Sequence, residues 1–115
     1  MNIDVNEHVL DRDLALARVG GDAELLKELA ILFLEEYPRL LTELHAATDR
    51  GDAKTVERTA HGLKGSVANF GAQAATEAAL LVEQLGREQK LVEVGNALNT
   101  LELALAAVRV ELSAL

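Results

Sequence analysis

Apolar residues recur along most of this chain at the three- and four-residue steps of an amphipathic helix. The first ten residues are the exception: Ile3 and Val5 alternate weakly, and 1–10 reads as an extended lead-in. Asp11 or Asp13 can then cap a short helix running through Val19, with Leu14, Leu16 and Ala17 as its apolar residues and Gly20-Gly21 as its stop. Asp22 caps a longer helix over about 23–49, with a stripe of Leu25, Leu29, Leu32, Phe33, Leu40, Leu44 and Ala47. Pro38, the single proline, falls inside that span. The stripe resumes on roughly the same face after it, which predicts one long kinked helix, with a break near Glu36 as the alternative. A third helix is expected from Ala53 to Asn69, closed by Phe70, Gly71 and Ala72. A fourth is expected from Gln73 to Gly86, with Ala74, Ala78, Leu81 and Leu85 on one face. The last runs from Lys90 to Leu112, where Leu91, Val94, Leu98, Leu101, Leu105, Val108 and Leu112 step by three and four without a miss.

Four long amphipathic segments with short connections predict an all-α fold, an antiparallel four-helix bundle with a short additional N-terminal helix across one end. The last seam would also suit a dimerising coiled coil. A single seam of about 23 residues at the end of the chain fits the fourth wall of a bundle better.

Composition narrows the function. The chain has 115 residues, enough for one domain with its own core. It has no cysteine, which removes disulfides, thiolate metal sites and cysteine nucleophiles. Aromatic residues make up 3% and the formal charge is −8, so neither base stacking nor non-specific attraction to nucleic acid or anionic lipid is expected. No apolar run approaches the roughly 20 residues of a membrane span, and the N-terminus lacks a signal-peptide pattern, so no membrane contact is expected and a cytoplasmic domain is the default.

Candidate chemistry concentrates in Thr59–Ala72, TAHGLKGSVANFGA. At about 100° per residue, Val56, Ala60, Leu63, Val67 and Phe70 share one face, the expected core side. His61 lies about 140° from that direction and Gly65 about 180°, with Ala68 on the same outer side. Lys64 and Arg58 flank this strip. His61 should therefore face solvent over small residues, with a cation to either side. A lone helical histidine on a surface is usually inert, and His8 and His45 are read that way. His61 differs because two helix-disfavouring glycines, Gly62 and Gly65, lie within four residues of it. Gly65 would let a partner approach closely. Lys64 would favour the neutral imidazole, a nucleophile, and could neutralise an anion attached to it. The neighbouring cations and the absence of HxxxH or HExxH spacing argue against a metal site. The order of Gly62-Leu63-Lys64-Gly65-Ser66 does not match a P-loop.

The run Ala60-His61-Gly62-Leu63-Lys64-Gly65-Ser66, closing at Gly71-Ala72, resembles the signature of histidine-containing phosphotransfer (HPt) domains of two-component phosphorelays. Ala15–Asp22 followed by Leu25-Leu26 is similar to the family's N-terminal pattern, and Phe33–Pro38 with Leu40-Leu41 to its second helix. The resemblance covers about 11–112, and the domain is set at 11–115. It implies that His61 accepts a phosphoryl group from a receiver-domain aspartyl phosphate and relays it to another receiver. Lys64 would stabilise the added charge. Gly65, Gly62, Ala68 and Arg58 would serve access and docking. The implied partners are response-regulator receivers, or a hybrid sensor histidine kinase to which the domain is appended. No cofactor is implied for the chain, because magnesium would come with the receiver. A phosphocarrier without autonomous kinase activity and a monomer are expected. Among Gln73, Glu83 and Gln84 of the following helix, the register does not fix which meets His61. The alternative reading is a non-catalytic helical interaction or dimerisation domain.

Overall fold

The computed structural model describes residues 9–115 and contains five helices: α1 (Arg12–Arg18), α2 (Ala23–Asp49), α3 (Ala53–Ala68), α4 (Gln73–Arg87) and α5 (Leu91–Ser113). The lead-in expected over 1–10, and with it His8, lies outside the described residues up to position 8. Val9 and Leu10 pack against the core.

Aspartates start the first three helices. Asp11, Asp22 and Asp52 accept hydrogen bonds from the backbone N–H groups of Leu14, Leu25 and Thr55 at 3.0, 3.0 and 3.1 Å. Each satisfies a donor that the first helical turn leaves without a partner. Short turns then make α2 to α5 successive antiparallel neighbours, and α5 closes the ring by packing on α2. α2 continues through Pro38, so the continuous reading of that span is the one the molecule adopts. Packing on one face outweighs the lost backbone bond, and Phe33 and Tyr37 stack just before the proline with ring centroids 5.4 Å apart.

α1 enters across the end where α3 turns into α4. Its cap residue donates its backbone N–H to the Phe70 carbonyl at 3.1 Å. Gly71, at φ 65°, makes this approach possible: a Cβ there would stand 3.0 Å from the Asp11 nitrogen, and the backbone angle itself disfavours a side chain.

Three faces differ from expectation. In α2, Phe33, Leu44 and Ala47 are buried as expected and Leu29 and Leu40 are half-buried, but Leu25 and Leu32 are exposed, and Leu26, Ala30 and Tyr37 take the core positions. In α1 the buried residue is Ala15, while Leu14 and Ala17 are exposed and Leu16 is half-buried. A seven-residue helix resting on one end of the bundle buries a single small contact rather than a stripe. In α4, Ala78 and Leu85 are buried as expected, but Ala74 and Leu81 are exposed. The buried set is Ala75, Ala78, Ala79, Val82, Glu83, Leu85 and Gly86. Its centre lies roughly 90° around the helix from the expected stripe. α4 packs on both α3 and α5, so its covered face is wide and is set by small residues that permit close approach. α5 keeps its seam: Val94, Leu98, Leu101, Leu105, Val108 and Leu112 are buried and Leu91 is half-buried. It is the one described helix long and apolar enough to cross a membrane by length and composition, and here it forms a wall of the bundle.

Candidate functional site

The core face of α3 is Val56, Ala60, Leu63 and Val67, with Phe70 just beyond the helix, all buried. That fixes the rotation of the helix and sends His61 outward, its side chain 67% exposed. Gly62 and Gly65 are exposed, and a Cβ at either would meet nothing within 4 Å. Ala68 is half-buried on the same outer side, and Arg58 is exposed.

The rotation of α4 supplies what the sequence left open. Glu83 sits on the flank that faces α3, and it is the one charged residue counted among the buried set. Its Oε2 lies 3.0 Å from His61 Nδ1 and accepts from the Arg87 guanidinium at 2.8 Å. Lys64 Nζ stands 2.8 Å from Oε1 as an ion pair whose geometry is not aligned for a hydrogen bond. Arg87 also donates through Nε to Glu57 of α3 at 2.9 Å. One carboxylate thus gathers three nitrogen groups. Gln73 and Gln84, the other two candidates, are exposed on α4, and Gln73 bonds to Glu77.

Burial pushes the Glu83 carboxyl up, but the adjacent Lys64 ammonium and the His61 ring push it down and prevail, leaving it below the usual glutamate value. Glu83 is therefore ionised at neutral pH and can only accept hydrogen bonds. Nδ1 must carry the hydrogen in that contact, so the lone pair of the neutral ring is at Nε2, the nitrogen away from α4.

Lys64 has a partner that the sequence did not identify. It is not a lone cation beside the ring, because its charge is spent on Glu83. Glu57 and Arg87 were not singled out from the sequence. The available signal was a glutamate inside the small-residue face of α4 with an arginine four residues on, a spacing that brings the two side chains together on a helix.

Beyond His61, the outer face of α3 leads into a groove of about 170 Å³ between α2 and α3, lined in part by Leu29, Leu32, Phe33, Leu40, Ser66 and Asn69. Phe70 tilts against Phe33 on its floor, with centroids 5.6 Å apart. Leu32 is more than half exposed on its rim. Among the described residues, no group of three or more His, Asp or Glu is placed to hold a metal ion.

A family model described as Hpt domain matches residues 28–111. Among solved structures, the chain is similar to histidine-containing phosphotransfer protein B (HptB) from Pseudomonas aeruginosa PAO1, with a TM-score of 0.85 and 25% identity over 92% of each chain. No curated protein matches the sequence.

Proposed function

The chain belongs to the Hpt domain family, and we propose that His61 is the residue through which it carries a phosphoryl group. It is a histidine phosphotransfer module of a phosphorelay, and such domains work with the receiver domains of response regulators or hybrid kinases. The observation that carries the assignment to His61 is its pairing: an exposed imidazole whose Nδ1 is held by a buried, ionised carboxylate.

On this reading Nε2 attacks the phosphorus of a receiver's aspartyl phosphate in line. The N–P bond forms as the P–O bond to the aspartate breaks, and the bonding pair leaves with the receiver's carboxylate. The ring becomes cationic, and Glu83 balances that charge through Nδ1–H. Lys64, one turn from His61 and already at the edge of the site, can turn from Glu83 to the phosphoryl oxygens. Transfer onward is the same displacement in reverse onto another receiver's aspartate.

The chain supplies the nucleophile and its setting. Glu83 is already engaged by three nitrogen groups, so magnesium would arrive in the receiver's acidic pocket. Gly62 and Gly65 leave the ring approachable, and Arg58 and the α2–α3 groove extend the surface a receiver would cover. A monomer working in the cytoplasm between receiver domains, without membrane or nucleic-acid contact, fits this role.

The test is incubation with a phosphorylated receiver, followed by assay for acid-labile, base-stable label on this chain. His61→Gln should abolish the label. Uptake equal to that of the wild type would remove His61 from the mechanism.

A further inference from the structure

Gly86 is the tightest point of the α3–α4 packing among the glycines of the bundle helices. A Cβ added there would stand 2.8 Å from the backbone nitrogen of Glu57, 3.0 Å from Val56 Cγ1 and 3.2 Å from the Ala53 carbonyl oxygen. Two of those three atoms are backbone of α3 and cannot swing aside. At Gly62, Gly65 and Gly95 the same atom would meet nothing within 4 Å. The rest of the covered face of α4 manages with alanine at Ala75, Ala78 and Ala79. Glycine is a poor helix former, so its use at this one buried position points to a demand for close approach.

That approach matters for the site because Gly86 is one turn from Glu83 and adjacent to Arg87. Glu83 spans the gap to α3 to reach His61 at 3.0 Å and Lys64 at 2.8 Å, while Arg87 spans it to Glu57 at 2.9 Å. A Cβ at 86 needs about 0.6 Å more room to reach an ordinary van der Waals distance from the Glu57 nitrogen. Added to the His61–Glu83 separation, an opening of that size exceeds the range of an N–H···O bond.

We propose that Gly86 is a positioning residue: by fixing how closely α4 approaches α3, it lets Glu83 hold His61 Nδ1–H and so keeps Nε2 as the free nitrogen. The inference rests on the reading of His61 as the phosphoryl carrier, but it makes a separate claim, about the tautomer of the ring.

The experiment is long-range 1H–15N NMR of the unphosphorylated, histidine-labelled chain, paired with the rate of phosphoryl uptake from a phosphorylated receiver. Wild type should show His61 with its hydrogen on Nδ1. Gly86→Ala should stay folded by circular dichroism, show a mixture of tautomers, and take up phosphoryl groups about tenfold more slowly. Gly95→Ala, an open helical position on α5, should change neither readout. Glu83→Asp withdraws the carboxylate by one methylene without touching the helix crossing, and should reproduce the Gly86→Ala spectrum. In a Glu83→Ala background, which has no acceptor left to misplace, Gly86→Ala should add no further slowing. A wild-type spectrum from Gly86→Ala or Glu83→Asp would overturn the proposal. So would an undiminished effect of Gly86→Ala in the Glu83→Ala background, or loss of the fold in Gly86→Ala, which would assign the glycine to packing alone. A chain whose tautomer responds as described but which never takes label refutes His61 as carrier and leaves the positioning claim standing.

Discussion

Glu83 and His61 stand on different helices, 22 positions apart, and meet at 3.0 Å between Oε2 and Nδ1. The carboxylate is 4% exposed as a side chain and the imidazole 67%, so a buried group steers a ring that a partner can reach. Removing the charge should therefore affect transfer more than folding. A hydrogen bond to a charged group contributes about 1.5–3 kcal/mol, which corresponds to roughly ten- to a hundredfold in rate if it is felt mainly in the transition state. Glu83→Gln, whose amide oxygen can still accept from Nδ1–H, should slow uptake from a phosphorylated receiver about tenfold. Glu83→Ala should approach a hundredfold. Both should fold, because the Arg87 side chain is 55% exposed and can turn to water once its partner is gone. Stopped-flow transfer kinetics against thermal unfolding of the same variants separate the two effects.

The same cluster sets a pH dependence. Burial raises the Glu83 carboxyl, but Lys64 and His61 lower it by more, so its folded value lies under its unfolded one. A carboxyl shifted in that direction adds stability that is fully present above the ordinary glutamate value of about 4.3 and is lost as pH falls through the lower folded value. The Glu83 side-chain carboxyl carbon, followed by NMR, should titrate below that ordinary value. Lys64→Ala removes one of the groups that lower it and should move the midpoint upward. A wild-type midpoint above the ordinary value would mean that burial wins and that the carboxylate is a weaker anchor than the geometry suggests.

The number of helices and most of their boundaries could be read from the sequence because each long helix buries a stripe whose period is local information. The α5 seam and the α3 core face needed nothing from the rest of the chain. The outward direction of His61 followed at once, since a face opposite Val56, Ala60, Leu63 and Val67 must point to solvent. Glu83 was illegible for the complementary reason. α4 carries apolar or small residues on several sides, and Leu81 pulled the expected face toward the wrong flank, where it is 45% exposed. Which side of α4 is covered is decided by its two neighbours, and in particular by the contact at Gly86. Lys64 illustrates the same limit: its position on the helix was legible, but its partner lies on α4 and could not be assigned until that helix was oriented.

Pro38 gives a prediction about stability alone. It is exposed within α2 and removes one backbone donor from the middle of a 27-residue helix. Thr42 reaches back to the Pro38 carbonyl through its hydroxyl at 3.1 Å, so the next turn is already helical. Pro38→Ala should restore a backbone hydrogen bond and stabilise the domain by about 1–3 kcal/mol, seen as a higher midpoint in denaturant with an unchanged slope. A lower midpoint would show that the proline shapes α2 for the contact of Phe33 and Tyr37 with the bundle.

Gly65 separates docking from chemistry. It lies one turn beyond His61 on the same outer face, and a side chain there would enter open space. For the isolated domain a larger residue should be harmless or helpful: Gly65→Ala should stabilise it by up to about 1 kcal/mol through helix propensity. A receiver must bring its aspartyl phosphate down onto the ring across this very spot, so Gly65→Leu should cut transfer from a phosphorylated receiver at least tenfold while thermal stability holds or rises. A small phosphoryl donor such as phosphoramidate needs no docking surface, and it should label His61 equally well in wild type and Gly65→Leu. Loss of both reactions would show that the side chain disturbs the imidazole itself, and retention of both would show that the partner approaches from another side of α3.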